Sequence, residues 1–350
     1  MDFITELNNE KNAALVLREE LRPVNGPDGI IFPPTFAPPK DGKEESAGYI
    51  LDDIGGQTVC LVDSVGSQAN RMEGVFLQPE YAHLVPQVVI KVGERRVSLL
   101  ELGHRAADAV ARHSGCGDAV KKAFEAIRQG DAVPMAKIAP TTIVFGAWDS
   151  RGTQVKLPRL VESSIRAYDV VQVTRAAQYF TSLRKAEQDT LGVGIDALGE
   201  FASEEGLVDV PSGRVLGGVI ARGGIRREAV LNLSALRLVR ASSDEESLRL
   251  QKYILGLCLV AFSATSACYL RQGCLLVRED SVGSETKLVA RDGTSSPVDL
   301  DASTALEFAT GAAKEFGVGA SIEVEFSPDS VVAAKKKKGE KKAGKKGQTE

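Results

Sequence analysis

Aromatic side chains are scarce in this chain. Phe, Trp and Tyr make up only 5% of the 350 residues, and Trp148 is the only tryptophan. Proteins that hold single-stranded nucleic acid commonly stack its bases on exposed aromatic rings. Few rings are available here for that mode of binding.

Metal-binding residues are also few. The five cysteines are separated, no C-x-x-C pair occurs, and His113 and Cys116 have no second ligand pair beside them. A structural zinc site takes four ligands. We therefore expect neither a metal site nor a cofactor.

The cysteines also bear on the compartment. They are odd in number, and four of the five lie among apolar neighbours, as free thiols do. The first residues carry acids and no apolar core, so we expect no signal peptide. The uncharged run over 253–270 contains several polar residues and predicts a buried helix turning into a strand, not a membrane span. We expect a cytoplasmic protein.

Common catalytic motifs are absent. The sequence contains no G-x-S-x-G, H-E-x-x-H or P-loop pattern. The spaced glycines over 192–199 follow an acidic segment instead of a strand, which favours a plain turn over a phosphate loop. We expect no catalytic residues and no enzyme.

Positive charge is confined to one end of the chain. The net charge is −4, but residues 335–350 hold eight lysines and two glutamates, so residues 1–334 carry −10. Nucleic-acid-binding domains are usually basic overall, so binding would need a local basic groove. The lysine-rich tail has no apolar residues to fold around and is expected to be disordered.

Apolar periodicity predicts an α+β fold, a sheet covered by helices on one face. Residues 1–21 read as a helix, followed by an extended segment rich in proline and glycine. A hairpin is predicted over 215–233. Strands are predicted at 57–63, 88–93, 141–149, 161–174, 235–241, 269–280 and 320–326, and helices at 64–77, 99–113, 118–129, 244–263 and 302–316.

The segment DSVGSQANRMEG (63–74) is the first candidate binding site. On a helix capped by Ser64, the side chains of Ser67, Asn70 and Arg71 share one face. Helix N-termini attract anions, and a guanidinium forks onto phosphate oxygens. The alternative is an ordinary polar surface. The next predicted helix carries His104 and Arg105, which either point at a phosphate or belong to a solvated face.

A second candidate surrounds Trp148. The predicted strand over 141–149 leads into the turn that contains Ser150 and Arg151. Trp148 is either a core anchor or a platform for a base, and we expect the core role. Cations spaced in this way suit recognition of a nucleic-acid backbone. The cations that follow are Lys156, Arg159, Arg166, Arg175, Arg184, Lys185, Arg222, Arg226 and Arg227.

Four segments in order carry a resemblance to a known family: LVDSVGSQANRMEGVFL, LGHRAADAVARHS, PTTIVFGAWDSRG and SSIRAYDV. Together they resemble the backbone subunit of the type I-G (formerly I-U) CRISPR surveillance complex, or Cascade. That family belongs to the wider superfamily of repeat-associated RNA-binding proteins. In that superfamily a helix of the form S-Q-x-x-[KR] meets RNA phosphates, which here matches Ser67, Gln68 and Arg71.

The resemblance implies a modified ferredoxin-like or RNA-recognition-like palm with inserted finger and thumb elements. This palm would span 51–330, with insertions at roughly 80–140 and 175–235. Residues 1–50 would form an N-terminal helix and a proline-rich arm, and residues 331–350 the tail. Several copies would form a helical filament along one guide RNA and hold its backbone for pairing with target DNA in antiviral defence. Partners would be the RNA-processing, large and small subunits and a recruited nuclease-helicase.

Two other interpretations stay open. The chain could be a metal-dependent RNA-cleaving backbone subunit that uses Asp63 or Asp149, although no second carboxylate is positioned for a two-metal site. Both aspartates also suit turns, where they cap the following backbone. Alternatively, the chain could be a generic assembly protein whose lysine tail binds nucleic acid without specificity.

Overall fold

The structure is a computed structural model that describes residues 3–37, 48–176, 178–181, 200–211, 215–264, 269–279, 284–333 and 335. The spaced glycines over 192–199, the cations Arg184 and Lys185, and the lysine-rich tail from residue 336 onward lie outside the described residues.

Helices and strands contribute similar shares, and the predicted α+β class is confirmed. Three of the helices that match the sequence prediction begin after polar caps, namely Ser64, Ser243 and Asp301. The helices are α1 (Phe3–Asn8), α2 (Val65–Glu73), α3 (Ala109–Arg112), α4 (Gly117–Arg128), α5 (Val133–Ile138), α6 (Thr141–Phe145), α7 (Glu200–Glu204), α8 (Leu233–Leu236), α9 (Asp244–Ser263) and α10 (Ala302–Phe316).

The three longest strands, β1, β8 and β13 in the list below, form the centre of the main sheet. They are β1 (Asn12–Pro23), β2 (Leu51–Ile54), β3 (Gln57–Asp63), β4 (Val88–Val92), β5 (Arg95–Ser98), β6 (Ala147–Trp148), β7 (Lys156–Leu157), β8 (Val161–Tyr168), β9 (Val170–Arg175), β10 (Gln178–Tyr179), β11 (Val210–Pro211), β12 (Val215–Ala221), β13 (Ile225–Asn232), β14 (Tyr269–Arg271), β15 (Cys274–Arg278), β16 (Ser284–Ala290), β17 (Ser295–Pro297) and β18 (Ile322–Glu325).

The main sheet is antiparallel and curls into a half-barrel. Its strand order is β14-β15-β1-β13-β8-β3-β2, and β16 also pairs with β1 and carries β17. Strands β1, β8 and β13 alternate buried and more exposed residues. This period of two means that one face of the sheet is covered and the other is open. We call the second face the open face.

Helix α9 lies in the middle of the larger apolar core. Its residues from Tyr253 to Phe262 are almost completely buried. The Tyr253 hydroxyl donates to the Leu84 carbonyl at 2.8 Å, and its ring stacks on Phe316 with centroids 4.7 Å apart. None of the described helices combines the length and the apolar content that crossing a membrane requires. The uncharged run is therefore a core helix that leads toward β14.

The predicted N-terminal helix over 1–21 is wrong for most of its length. Only α1 is helical, and β1 is a central strand whose Leu15, Leu17 and Leu21 face the core. Leucine, arginine and glutamate favour helices intrinsically, but pairing with β13 and β16 on both sides overrides that preference.

Three further predictions are corrected. Residues 141–145 form the buried helix α6, although β-branched residues there favour a strand. Residues 99–113 are two 3-10 turns and α3, because Arg105 adopts a left-handed φ of 53° that an α-helix cannot contain. Part of 235–241 belongs to α8, and the carbonyls of Arg237 and Val239 accept from Gln251 instead of a neighbouring strand.

The predicted hairpin over 215–233 is also wrong. β12 pairs with β9, whereas β13 pairs with β1 and β8. The two outgoing strands β8 and β9 and the two returning strands β12 and β13 therefore form one long ribbon. We call its outer part, β9 to β12, the β-arm. Its base is attached to the body by a backbone bridge between Ile31 and Val219.

Close packing of α9 on α10 depends on Gly256. A Cβ built there would lie 2.8 Å from the Ala309 Cα, whereas a Cβ on Gly311 would meet nothing within 4 Å. We expect Gly256→Ala to lower the free energy of unfolding by about 1–3 kcal/mol, because the helices must move apart. The matched Gly311→Ala should raise it by up to about 1 kcal/mol through helix propensity. Urea denaturation measures both, and an equal gain for the two variants would contradict this packing.

Candidate nucleic-acid interface

Helix α2 follows β3 as the sequence predicts. The Ser64 side chain caps it by accepting from the Ser67 N–H at 3.3 Å. Ala69 and Met72 are buried, Asn70 is exposed and Ser67 is half-buried. The apolar side of α2 therefore faces the core as expected, and Asn70 is the predicted site residue that it exposes most fully.

Gln68 and Arg71 point inward, to the carboxylate of Asp63. Asp63 has no solvent exposure. Its Oδ2 accepts from Gln68 Nε2 at 2.6 Å and Arg71 Nε at 3.0 Å, and its Oδ1 accepts from an Arg271 terminal nitrogen at 3.1 Å. Arg71 also donates to the carbonyls of β14 residues 269 and 270, at 3.4 and 2.6 Å. Both side chains thus have protein partners that join α2 to β3 and β14.

The same network continues across the covered face of the sheet. Ser163 donates to Gln68 Oε1 at 3.0 Å, and Arg227 contacts Ser163 Oγ at 3.3 Å. Glu19 then pairs with Arg227 at 3.4 Å and with Arg278 at 2.6 Å. We call this chain of buried groups, from Asp63 to Glu19, the polar seam. It separates the larger apolar core, which holds Leu15 and Leu17, from a smaller one that holds Leu21 and Ile165.

Substitution of Arg71 should therefore lower the stability of the fold. Arg71→Ala removes donors from a fully buried carboxylate, and an unsatisfied buried charge is costly. We expect the free energy of unfolding to fall by about 2–4 kcal/mol, measured by chemical denaturation. Asn70→Ala is the control on the exposed side of the same helix and should change stability by less than about 1 kcal/mol. Equal small effects from both variants would contradict a structural role for Arg71.

Arg105 is buried, while its neighbour His104 is exposed. The Arg105 Nε lies 2.7 Å from a carboxylate oxygen of Glu73, and both side chains are about 95% or more buried. Its terminal nitrogens donate to Asn70 Oδ1 at 3.2 Å and to the Gly146 carbonyl at 3.4 Å, and its guanidinium stands 5.2 Å from the Phe145 ring centroid. Arg105 therefore fastens α2 to the turn before β6, which places the exposed Asn70, His104 and Trp148 on neighbouring elements.

Burial raises the pKa of Glu73 to about 7, against the opposing influence of Arg105 and Thr141. A raised folded-state pKa contributes stability that is present below the unfolded value of 4.5 and is lost as pH rises through about 7. We expect the unfolding free energy to fall by about 3 kcal/mol across this window. In Glu73→Gln this fall should disappear, whereas the exposed Glu80→Gln should keep it. Denaturation series at several pH values measure the difference, and parallel profiles for wild type and Glu73→Gln would refute the shift.

Trp148 is exposed to 60%, so the expected core role is wrong. It lies in the short hairpin of β6 and β7, where it pairs with Lys156. Gly146 has a φ of 72°, and a Cβ there would lie 2.8 Å from the Leu157 carbonyl oxygen. Gly146 therefore allows the chain before Trp148 to lie close against the backbone of residues 157–159.

The hairpin turn is held by Asp149. Its carboxylate accepts from the N–H groups of Gly152 and Thr153, from the Thr153 hydroxyl and from Arg112, at 2.6–3.0 Å. Burial raises the pKa of Asp149, but the Thr153 hydrogen bonds and the Arg112 charge outweigh it and hold the pKa below its usual value. Asp149 is therefore a turn cap, and the half-buried Ser150 lies within the turn that it holds.

Three exposed cations lie in or just after the β6–β7 hairpin that carries Trp148. Arg151, Lys156 and Arg159 form no ion pair with any described residue. Arg159 lies near enough to Arg105 for its charge to help lower the pKa of that buried arginine, which burial lowers most. We define the Trp148 patch by its exposed members, which are Asn70, His104, Trp148, Arg151, Lys156 and Arg159.

Three further predicted cations, Arg166, Arg222 and Arg226, have partners of their own. Arg166 donates to Ser164 at 2.6 Å. Arg226 pairs with Glu20 at 2.8 Å and covers the Tyr168 ring at 4.6 Å. Arg222, beside the β-arm, pairs with Asp169 at 3.3 Å. Arg222 and Arg226 are thus paired with carboxylates, whereas Arg166 bonds a hydroxyl on its own strand.

No group of three or more His, Cys, Asp or Glu side chains that could hold a metal ion occurs among the described residues. Asp63 and Asp149 each have their oxygens occupied by protein donors, and His113 bonds Ser330 through Nδ1 at 2.9 Å. Sequence reasoning did not foresee the roles of Glu73, Ser163 and Arg271. One signal was available, namely the carboxylate of Asp63 at the end of a buried strand, which must find donors.

The described molecule is thus an α+β protein with a local cationic surface around one exposed tryptophan. Residues 15–172 match the model of the family described as CRISPR-associated protein GSU0053. This match indicates a CRISPR-associated protein. It runs from β1 into β9, so it includes the Trp148 patch but excludes Arg222, Arg226 and Arg227. No match was found among curated proteins.

Proposed function

We propose that this chain is a non-catalytic backbone subunit of the type I-G CRISPR surveillance complex, which oligomerises along guide RNA and holds it for pairing with target DNA. The observation that carries the proposal is the Trp148 patch within the matched segment. There an exposed indole shares a hairpin region with three exposed cations that form no ion pair with any described residue. The role as backbone subunit, the further copies and the other complex subunits come from the family resemblance of the four sequence segments.

The chemistry of the Trp148 patch suits single-stranded RNA. Guanidinium and ammonium groups bind phosphate oxygens without reading the sequence, as a subunit that must accept any guide requires. An indole face stacks on any base. Asn70 on helix α2 and His104 on a neighbouring turn add polar groups. In this proposal Gln68, Arg71 and Arg105 support these residues from beneath.

The charge distribution restricts where RNA binds. The body carries −10, and the cations of the open face pair with Glu20 or other sheet groups. RNA phosphates are therefore repelled from most of the surface and attracted at the Trp148 patch. One small patch gives modest affinity, and successive copies on one RNA strengthen retention through multivalency.

RNA cleavage by a metal is the less supported alternative. A metal ion that catalyses hydrolysis keeps coordination positions open for water and substrate. Both candidate aspartates, Asp63 and Asp149, instead accept several hydrogen bonds from their own chain. Protein donors would have to leave before either carboxylate could bind a metal, so we propose structural roles for both.

The Trp148 patch is tested by substitution in the full chain. We expect Trp148→Ala to weaken binding of single-stranded RNA about tenfold or more, since stacking on an aromatic ring contributes about 1–3 kcal/mol per base. Lys156→Gln with Arg159→Gln should also lower the salt dependence of binding, because fewer phosphates are neutralised. Arg249→Gln, on exposed α9 surface, is the matched control. Fluorescence anisotropy measures each dissociation constant.

Co-expression with guide RNA tests the wider role. The wild-type chain should purify as a multimer with RNA of uniform length, and the Trp148→Ala chain should retain less. A chain that stays monomeric and free of RNA with and without guide would refute the proposal. So would a Trp148 patch variant that binds RNA as tightly as the Arg249→Gln control.

A further inference from the structure

The turn of the β6–β7 hairpin has no apolar anchor of its own. At the base of the hairpin, Ala147, Val155 and Leu157 pack against the larger core. The turn itself, residues 149–153, has the sequence DSRGT and contains no apolar residue. A cavity of about 550 Å³ is lined both by residues of this turn and by residues of α4, among them Phe124. Polar bonds must therefore hold the turn in place.

Most of the bonds at Asp149 stay inside the turn. Its carboxylate accepts from the Gly152 N–H at 3.0 Å, from the Thr153 N–H at 2.6 Å and from the Thr153 hydroxyl at 2.9 Å. The Asp149 carbonyl also accepts from the Gln154 N–H at 2.9 Å. These bonds fix the shape of the turn, but they do not fix its position on the body of the protein.

Two arginines from neighbouring helices connect the turn to the body. Arg112, at the end of α3, donates through one terminal nitrogen to the Ala107 carbonyl at 3.0 Å and to Asp149 Oδ1 at 2.9 Å. Arg128, at the end of α4, donates to the Thr153 carbonyl. Among the described residues, these are the hydrogen bonds that join the turn to elements outside the hairpin. The two helices therefore determine where the turn lies.

We propose that Arg112 and Arg128 are positioning residues of the RNA interface, which act through the hairpin and do not contact RNA themselves. This inference rests on the proposed function, because it concerns the Trp148 patch. Trp148 directly precedes Asp149 and pairs with Lys156 across the hairpin, so a turn that is free to tilt moves both of them. A hairpin that is already in place loses less conformational entropy on binding. The two arginines thus raise the affinity for RNA by preorganisation.

Loss of Arg112 should leave the fold intact, in contrast to loss of Arg71. The Arg112 side chain is 27% exposed, and Asp149 keeps its three donors within the turn when Arg112 is removed. No buried carboxylate is then left unsatisfied. Arg128 is exposed, and its substitution leaves the bond between Arg112 and Asp149 in place. Each substitution therefore releases one attachment of the turn.

The first measurement follows Trp148, the only tryptophan, in the full chain without RNA. Time-resolved fluorescence anisotropy reports the local motion of its indole on the nanosecond scale. We expect more local motion in Arg112→Ala and in Arg128→Ala than in the wild-type chain. Arg112→Lys keeps the charge and a donor and should restore most of the wild-type behaviour. Lys122→Ala removes an exposed charge from α4 and is the matched control, in which the motion should not change.

The second measurement separates positioning from direct contact. Binding of a labelled single-stranded RNA is measured from about 50 to 200 mM salt. We expect each alanine variant to bind about three- to tenfold more weakly than Lys122→Ala at every salt concentration. The slope of log affinity against log salt should not change, whereas a lost phosphate contact would make it shallower by about 0.7. Circular dichroism checks the fold, and if Arg112→Ala does not fold, the exposed Arg128→Ala decides.

The outcomes separate this inference from the proposed function. More motion of Trp148 together with weaker binding at constant slope supports the inference. Unchanged motion in both alanine variants overturns it, and so does unchanged affinity when the motion has increased. A shallower slope also overturns it, because the arginines would then contact phosphate. No RNA binding by the wild-type chain refutes the proposed function and with it the role in RNA binding, while the anisotropy still decides whether the arginines hold the turn.

Discussion

The buried carboxylate of Asp63 sets the strongest constraint on this fold. An ionised carboxylate without solvent exposure is tolerated only when charged and polar donors surround it. Those donors come from α2 and β14, and the polar seam continues through β8 and β13 to Glu19 on β1. A one-residue slip of β13 would move Arg227 to the open face and leave Glu19 buried without it. The polar seam therefore specifies the register of the central strands as well as the orientation of α2.

That constraint explains how the candidate interface is built. Since Gln68 and Arg71 turn inward to satisfy Asp63, α2 presents only Asn70 fully to solvent among the predicted residues. Arg105 repeats the arrangement at the other end of α2, where it pairs with Glu73 and joins the turn before β6. Two buried ionic centres thus hold the scaffold, and separate exposed cations remain available on it. Basic residues that look alike in the sequence therefore have two roles. The buried ones form the ion pairs of the scaffold, and the exposed ones lie on the surface.

The sequence predicts those helices and strands that are determined by residues close to one another in the chain. The sequence predicts β3 and β4 from short apolar runs, α9 and α10 from polar caps before helical segments, and α4 from the apolar periodicity of one face. β1 was missed because its partners lie about 200 residues away. The exposure of Trp148 was missed because the residue lies in a short hairpin with β7, which the sequence analysis did not predict. The partners of Arg71 and Arg227 could not be predicted, because a guanidinium has the same sequence signal in a phosphate site and in an ion pair.

The acidic body is compatible with RNA binding when the two charge signs are separated in space. If cations were spread over the open face, RNA could lie across the molecule in several orientations. Pairing of Arg226 with Glu20 and of Arg222 with Asp169 removes that alternative surface. Under the proposed function, the RNA strand would bind at the Trp148 patch, where three cations form no ion pair with any described residue. Repulsion from the rest of the body would strengthen that preference. Under the proposed function, a body charge of −10 would help to orient each copy on its RNA, and the local patch would supply the attraction.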